Sequence, residues 1–272
     1  NNIIELCAEK LIDELSAAGY RIILRPHPQQ VRHEPERFAM MKEKYEPRVS
    51  EVFDVEAQQK EIDEALTGLK EEGFRTKILK GVEMGVYKES REEISAFLEK
   101  YSFDEVIASV HYLEDTDPYF GEYYIGKTFK EAYGEYLETL YEEMKWLGER
   151  FDVMGHYDYI TRYAPYPETS ILYKDFPDLL DEILRYLAEE GKALEINTKT
   201  YQEYKGRTPI LDPDILRRYR ELGGEFVSLG SDSHSADGVG FNFEYTIEFL
   251  KYNRIIYGIH YERRRPVVTR LP

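Results

Sequence analysis

Stretches with apolar residues at helical spacing alternate along this chain with short apolar runs of strand length. In 2–19 the apolar positions Ile3, Ile4, Leu6, Cys7, Leu11, Ile12, Leu15 and Ala18 recur at helical intervals, and Gly19 supplies a stop before "YRIIL". The pattern then repeats. Residues 56–73 read as a helix ahead of "KILKGVEM" (77–84). Residues 90–101 read as a second, ahead of "EVIASVH" (105–111), opened by Ser90 with Glu93 three positions on, the spacing of a capping box. A long helix at 128–149 leads into "FDVMGHYDYI" (151–160), and one at 177–190 leads into "KALEINT". Another at 212–222 runs through Gly223 and Gly224 into "EFVSLGSDSH", and a last one at 241–252 precedes "RIIYGIH".

Short strands separated by helices predict a parallel sheet with crossover connections. The even spacing shows no linker, so 1–272 is expected to form a single domain. A (β/α) barrel is the expected closure, and in a barrel functional residues gather at the C-terminal ends of the strands. Those ends are polar in a consistent way. They carry Glu83 in "KGVEMG", His111 in "ASVHYL", His156 with Asp158 in "MGHYDYI", Glu195 with Asn197 in "LEINT", and Asp232 with His234 in "GSDSH". Taken singly, each has a bland explanation as a hydrogen-bonded core histidine, a capping aspartate or half of an ion pair. Repetition at one rim favours a shared site, and imidazole with carboxylate suits zinc, manganese or iron.

Composition narrows the chemistry. With 36 basic and 53 acidic residues the formal charge is −17, and no basic stretch is long enough to follow a phosphate backbone, so a nucleic-acid partner is not expected. The arginines of the last eleven residues (Arg263, Arg264, Arg265, Arg270) read as a solvated terminus. One cysteine, Cys7, excludes an internal disulfide and any cysteine-rich zinc site, which leaves histidine and carboxylate as metal ligands and fits a cytoplasmic setting. No apolar run reaches the roughly 18 residues of a membrane span, and no secretory leader is read. Arg162, in "TRYAPYP", follows the His156 strand; an arginine beside a cationic cluster calls for an anion between them, such as a phosphate ester. The tyrosine-rich stretch "EDTDPYFGEYYIGKTF" is long enough to cover a pocket.

In this order, "KGVEMG", "FDEVIASVHYL", "FDVMGHYDYITRY", "LEINT" and "LGSDSHSADGVG" resemble the PHP family, named for polymerase and histidinol phosphatase, and most closely its histidinol-phosphate phosphatase branch. The resemblance covers about 56–272. It implies a distorted (β/α)7 barrel with two or three divalent ions (zinc, manganese or iron) at its C-terminal rim. Carried over residue by residue, it implies metal ligation by Glu83, His111, His156, Asp232 and His234, and phosphate contact by Arg162. Asp232 is further expected to accept the proton of the attacking water, and Asp158 to orient the organic end of the substrate.

The N-terminal segment departs from the family. Members begin with a strand ending in a His-x-His pair, and no such pair occurs in this sequence. His27, in "YRIILRPH", stands where another metal-binding histidine is expected, but between two prolines; His33 reads as a surface loop residue. "GYRIILRPHPQQ" with "RFAMMKEKYEP" also resembles a short piece of the CDP-glycerol glycerophosphotransferases. Residues 1–55 leave three readings open: a diverged member of the family, a fragment lacking the first strand of the barrel, or a chain with a replaced N-terminus. The expected activity is hydrolysis of a small-molecule phosphomonoester, with histidinol phosphate of histidine biosynthesis as the leading substrate. A non-catalytic scaffold with an incomplete metal site and a glycerophosphotransferase relative are the other readings.

Overall fold

The computed structural model describes residues 22–24, 55–71, 73, 77–113 and 116–272. The helix expected at 2–19, together with His27 and His33, lies outside them. Six parallel strands follow one another in chain order across one sheet: β1 (Ile22–Leu24), β2 (Ile78–Gly85), β3 (Glu105–Ser109), β4 (Val153–Met154), β5 (Ala193–Asn197) and β6 (Val227–Gly230). The connections carry α1 (Val55–Glu71), α2 (Arg91–Lys100), α3 (Phe129–Leu147), α4 (Pro177–Glu189), α5 (Pro213–Glu221) and, after β6, α6 (Phe243–Tyr252). A sheet in which every strand neighbours the next in sequence, curled so that its strand ends converge, is a distorted (β/α) barrel. No helix among the described residues is long and apolar enough to cross a membrane.

Two cores follow from the two-residue period of the strands. The outward positions Val82, Met84, Val106, Ala108, Met154, Leu194 and Ile196 are buried in one cluster with the helices, where Tyr133, Tyr136, Leu137 and Leu140 of α3 are wholly inaccessible. The intervening positions face the lumen. Register sets Glu83 beside Ile107, Ile107 beside Val153, and Val153 beside Ala193. Ile107, Val153 and Ala193 form a small inner core, and above it the inward series turns polar with Ser109, Glu195 and Ser228.

The predicted seventh strand forms but does not extend the parallel sheet. β7 (Tyr257–Glu262) pairs antiparallel with β8 (Arg265–Arg270), and Ile259 and Tyr261 complete the inner core from below. The hairpin is tied to the N-terminal ends of the strands. Tyr261 N–H donates to Glu105 Oε2 at 3.0 Å, Arg263 N–H donates to Asp104 Oδ1 at 3.0 Å, and the Arg264 guanidinium pairs with Asp152. Arg264 is thus an anchor under the barrel, not part of a solvated tail: the hairpin offers backbone donors and a guanidinium to carboxylates at the strand entrances.

Two local expectations also change. The run 151–160 yields a strand of only two residues, because the chain turns at His156 into a short 3-10 segment, Tyr159–Arg162. Ser90 precedes α2 but makes no cap; its hydroxyl donates to Tyr87 O at 2.8 Å, since a 3-10 turn leads straight into the helix. A capping box forms instead at α3, where Thr128 Oγ1 accepts from Glu131 N–H and the Glu131 carboxylate accepts from Thr128 N–H.

Candidate metal centre

Three side chains from three consecutive strands meet at the C-terminal rim. Glu83 projects from β2, His111 stands two residues beyond β3 and His156 two residues beyond β4. Both histidines are buried, at 6% and 4% exposure, so the pair is shielded from water on most sides. Their ligand atoms crowd one point. Glu83 Oε1 lies 2.9 Å from His156 Nε2 and 3.6 Å from His111 Nε2, and the two Nε2 atoms are 3.1 Å apart. Ions held at about 2.0–2.2 Å set neighbouring ligand atoms roughly 3.0 Å apart in octahedral and about 3.4 Å apart in tetrahedral geometry. The observed separations bracket those values, and the donor set of two imidazoles and one carboxylate suits zinc, manganese or iron.

Local structure explains how the histidines are aimed. Gly155 lets β4 turn inward: a Cβ there would lie 2.2 Å from Ser109 Oγ and 2.8 Å from Ile107 Cγ2. The next residue, His156, donates its backbone N–H to Glu195 Oε2 at 2.8 Å, while its carbonyl accepts from the Tyr136 hydroxyl at 3.2 Å. His156 Nδ1 is buried without a hydrogen-bond partner among the described residues, so the ring's polar contacts are made through Nε2. Burial opposes a charge on this ring. The hydrogen bond that Glu83 accepts from the ring and the fields of Glu83, Glu195 and Asp232 outweigh it and lift the pKa to about 9.

Asp232 and His234 lie beside this group, not inside it. Asp232 adopts a left-handed backbone, φ 42°, two residues beyond β6. Its Oδ1 is 3.3 Å from His234 Nε2, and the His234 side chain is 60% exposed. Burial works against ionisation of Asp232, but the His234 contact and the charges of Lys199 and His156 hold its pKa below the ordinary value. Lys199 is a cation of the rim that strand-end reasoning missed, although it follows "LEINT" directly. Its ammonium donates to Asp232 O at 2.9 Å and lies 3.5 Å from Asp232 Oδ2. Arg162 donates to Lys199 O and stacks over Tyr204 at 4.9 Å, so two cations, Lys199 and Arg162, stand next to one another at the rim.

Asp158 is buried and engaged. It accepts from Tyr201 O–H at 2.6 Å and Thr200 Oγ1–H at 3.2 Å, and burial, only partly offset by the Tyr201 bond, raises its pKa. Beside the histidines the rings of Tyr159, Tyr163 and Tyr119 form a continuous wall, which Tyr204 extends at 5.6 Å from Tyr163. Tyr159 packs 4.8 Å from the His111 ring and 5.2 Å from the His156 ring.

Comparison with known proteins agrees with this fold. The family model described as PHP domain matches residues 38–199. The chain is 34% identical over 188 residues to a probable histidinol-phosphatase of Clostridium acetobutylicum, covering 69% of this chain and 72% of that protein. It is 41% identical over 163 residues to a histidinol-phosphatase of Lactococcus lactis subsp. lactis, covering 60% of each. Among solved structures, the histidinol phosphate phosphatase of Lactococcus lactis, complexed with zinc, L-histidinol and phosphate, superposes with a TM-score of 0.77 at 30% identity, over 94% of this chain and 90% of that one.

Proposed function

This chain belongs to the PHP domain family, and we propose that it is a metal-dependent phosphatase whose substrate is histidinol phosphate. One observation carries the reading. Glu83, His111 and His156 converge at ligand-to-ligand spacing, with Lys199 paired to Asp232 and Arg162 bonded to Lys199 O at the same rim. The zinc, L-histidinol and phosphate named for the Lactococcus lactis structure support the same substrate class.

Glu83, His111 and His156 would hold divalent ions, with Asp232 and His234 as further ligands; His27, the remaining candidate, is outside the described residues. Once bound, such ions supply Lewis-acid polarisation of the phosphoryl oxygens and lower the pKa of water. The residues of the chain do the rest. Arg162 neutralises the phosphate, and its bond to Lys199 O fixes its direction. The water oxygen attacks phosphorus, the ester P–O bond breaks, and the leaving alkoxide takes up the proton that Asp232 accepts from the water. Asp232, held below its ordinary pKa, is ionised at neutrality and accepts the proton of the water. Asp158, bonded to Tyr201 and Thr200, would act on the organic end of the substrate by fixing that turn.

The test is direct. Protein purified without chelator should contain zinc, manganese or iron and release phosphate from histidinol phosphate, and His111→Ala should lower kcat/KM at least a hundredfold. Absence of both metal and activity after zinc or manganese is added would overturn the reading; metal without phosphate release would identify a non-catalytic member of the family.

A further inference from the structure

The end of the barrel away from the candidate metal centre carries a groove of about 290 Å³, between the end of α5, the start of β6 and the final hairpin. Its floor is apolar. Val227, Ile255 and Ile259 are buried there, while Ile256, Tyr257 and Val268 line it at 43, 48 and 56% exposure, so an apolar surface is left facing water.

Three arginines surround this surface. Arg220 and Arg254 line the groove, and Arg270 stands opposite Tyr257 in the hairpin register, on the same face. The other arginines of α5 are paired, Arg217 with Asp214 and Arg218 with Asp181 and Glu221. Arg220, Arg254 and Arg270 are exposed and form no ion pair among the described residues. Glu225 also lines the groove, which leaves three arginines against one carboxylate on a chain whose net charge is −17.

Backbone groups are open beside the groove as well. Leu271 N–H donates to Ile256 O at 2.9 Å, and bonded pairs alternate along an antiparallel ladder, so Val268 and Arg270 turn their N–H and C=O groups away from β7. No strand pairs with β8 on that side among the described residues, and the free run of donors ends at Pro266, which has no N–H. Two such edges brought together would face arginine with arginine, the kind of charge pattern that keeps edges from self-pairing. For an acidic strand the same charges attract. A long polyanion or an anionic bilayer would also meet the negative charge of the rest of the chain, whereas a short segment feels the charges within a Debye length, about 8–10 Å.

We infer that the edge of β8 and the groove beside it dock an extended acidic segment of another protein. Its backbone pairs with Val268 and Arg270, its apolar side chains lie on Tyr257 and Val268, and its carboxylates meet Arg220, Arg254 and Arg270. This goes beyond the phosphatase reading and does not depend on it, because the groove lies at the opposite end of the barrel from Glu83, His111 and His156.

Fluorescence anisotropy of the 272-residue chain with a labelled octapeptide of alternating glutamate and valine tests the assignment. Binding should be at least tenfold tighter than that of the lysine–valine counterpart. The double variant Arg220→Glu, Arg270→Glu, changed at two exposed positions, should keep the wild-type melting curve and bind the acidic peptide at least tenfold more weakly. The same peptide N-methylated at alternate residues, which cannot donate to β8, should lose at least tenfold in affinity for the wild-type chain, a comparison that needs no variant. Absence of binding, equal affinity for the acidic and basic peptides, or an affinity unchanged by the charge reversals or by N-methylation overturns the inference. Sedimentation equilibrium that finds a dimer dissolved by the double substitution overturns it in favour of a second copy. Tighter binding of a single-stranded oligonucleotide or of phosphatidylserine vesicles than of the peptide overturns it in favour of that polyanion.

Discussion

Gly155 is a glycine because of what stands opposite it. With Ser109 Oγ and Ile107 Cγ2 at 2.2 and 2.8 Å from any added Cβ, the inner wall leaves no room, and the next residue is a metal-ligand candidate. Gly155→Ala is expected to cost about 1–3 kcal/mol, the usual range for overpacking, and to weaken zinc binding by displacing His156. Thermal unfolding with and without zinc reads both effects. Asp117 makes the opposite point, that a group can be tolerated at a cost. Burial pushes its folded pKa up to about 6, above the ordinary 3.8, so between those values the unfolded chain ionises first and rising pH favours unfolding. Below that window both states are protonated and no penalty exists. The melting temperature of Asp117→Asn relative to the wild type should therefore rise between pH 4 and pH 6 and stay level above. A difference that is constant from pH 4 to 7 would show that the carboxylate is not held up.

Helix starts at the level of elements show why a spacing is weaker than a contact. Ser90 with Glu93 and Thr128 with Glu131 present the same Ser/Thr-x-x-Glu pattern, yet only the second pair forms a capping box. The difference lies in the approach. α3 is entered from extended backbone at Thr128, φ −77° and ψ 164°, which aims the hydroxyl at the first turn. Ser90 ends a 3-10 turn at φ −98° and ψ 7°, which directs its hydroxyl back to Tyr87 O. Thr128→Ala should destabilise by about 1 kcal/mol, the ordinary worth of a cap, and Ser90→Ala by clearly less, as denaturant unfolding would report. The final hairpin carries the same lesson. "RIIYGIH" has strand composition, but its register was free to be chosen by the carboxylates of Asp104, Glu105 and Asp152 at the barrel entrance.

At the scale of the molecule, the candidate metal site depends on curvature, since Glu83, His111 and His156 come from separate strands and have no reason to meet in a flat sheet. Metal that binds only the folded barrel must stabilise it. At a free zinc concentration about a hundred times Kd the gain is roughly 2.7 kcal/mol. Zinc should raise the melting temperature accordingly, a chelator should reverse the shift, and Glu83→Gln should abolish it. Helix and strand positions among the described residues, the strand ends that carry polar residues and the family resemblance were legible in the residues themselves, because periodicity and short motifs are local properties. The family model and the related phosphatases agree with that resemblance. Lys199, Tyr159 and Asp117 were not legible, since an ammonium beside Asp232 or a phenol against two imidazoles is a relation between segments distant in the chain. The sequence by itself determined which residues could ligate a metal and on which strand ends they would ride. Only the tertiary structure decided which of them meet and which charged and aromatic side chains surround them, because those depend on the curl of the sheet and on side chains supplied by other connections.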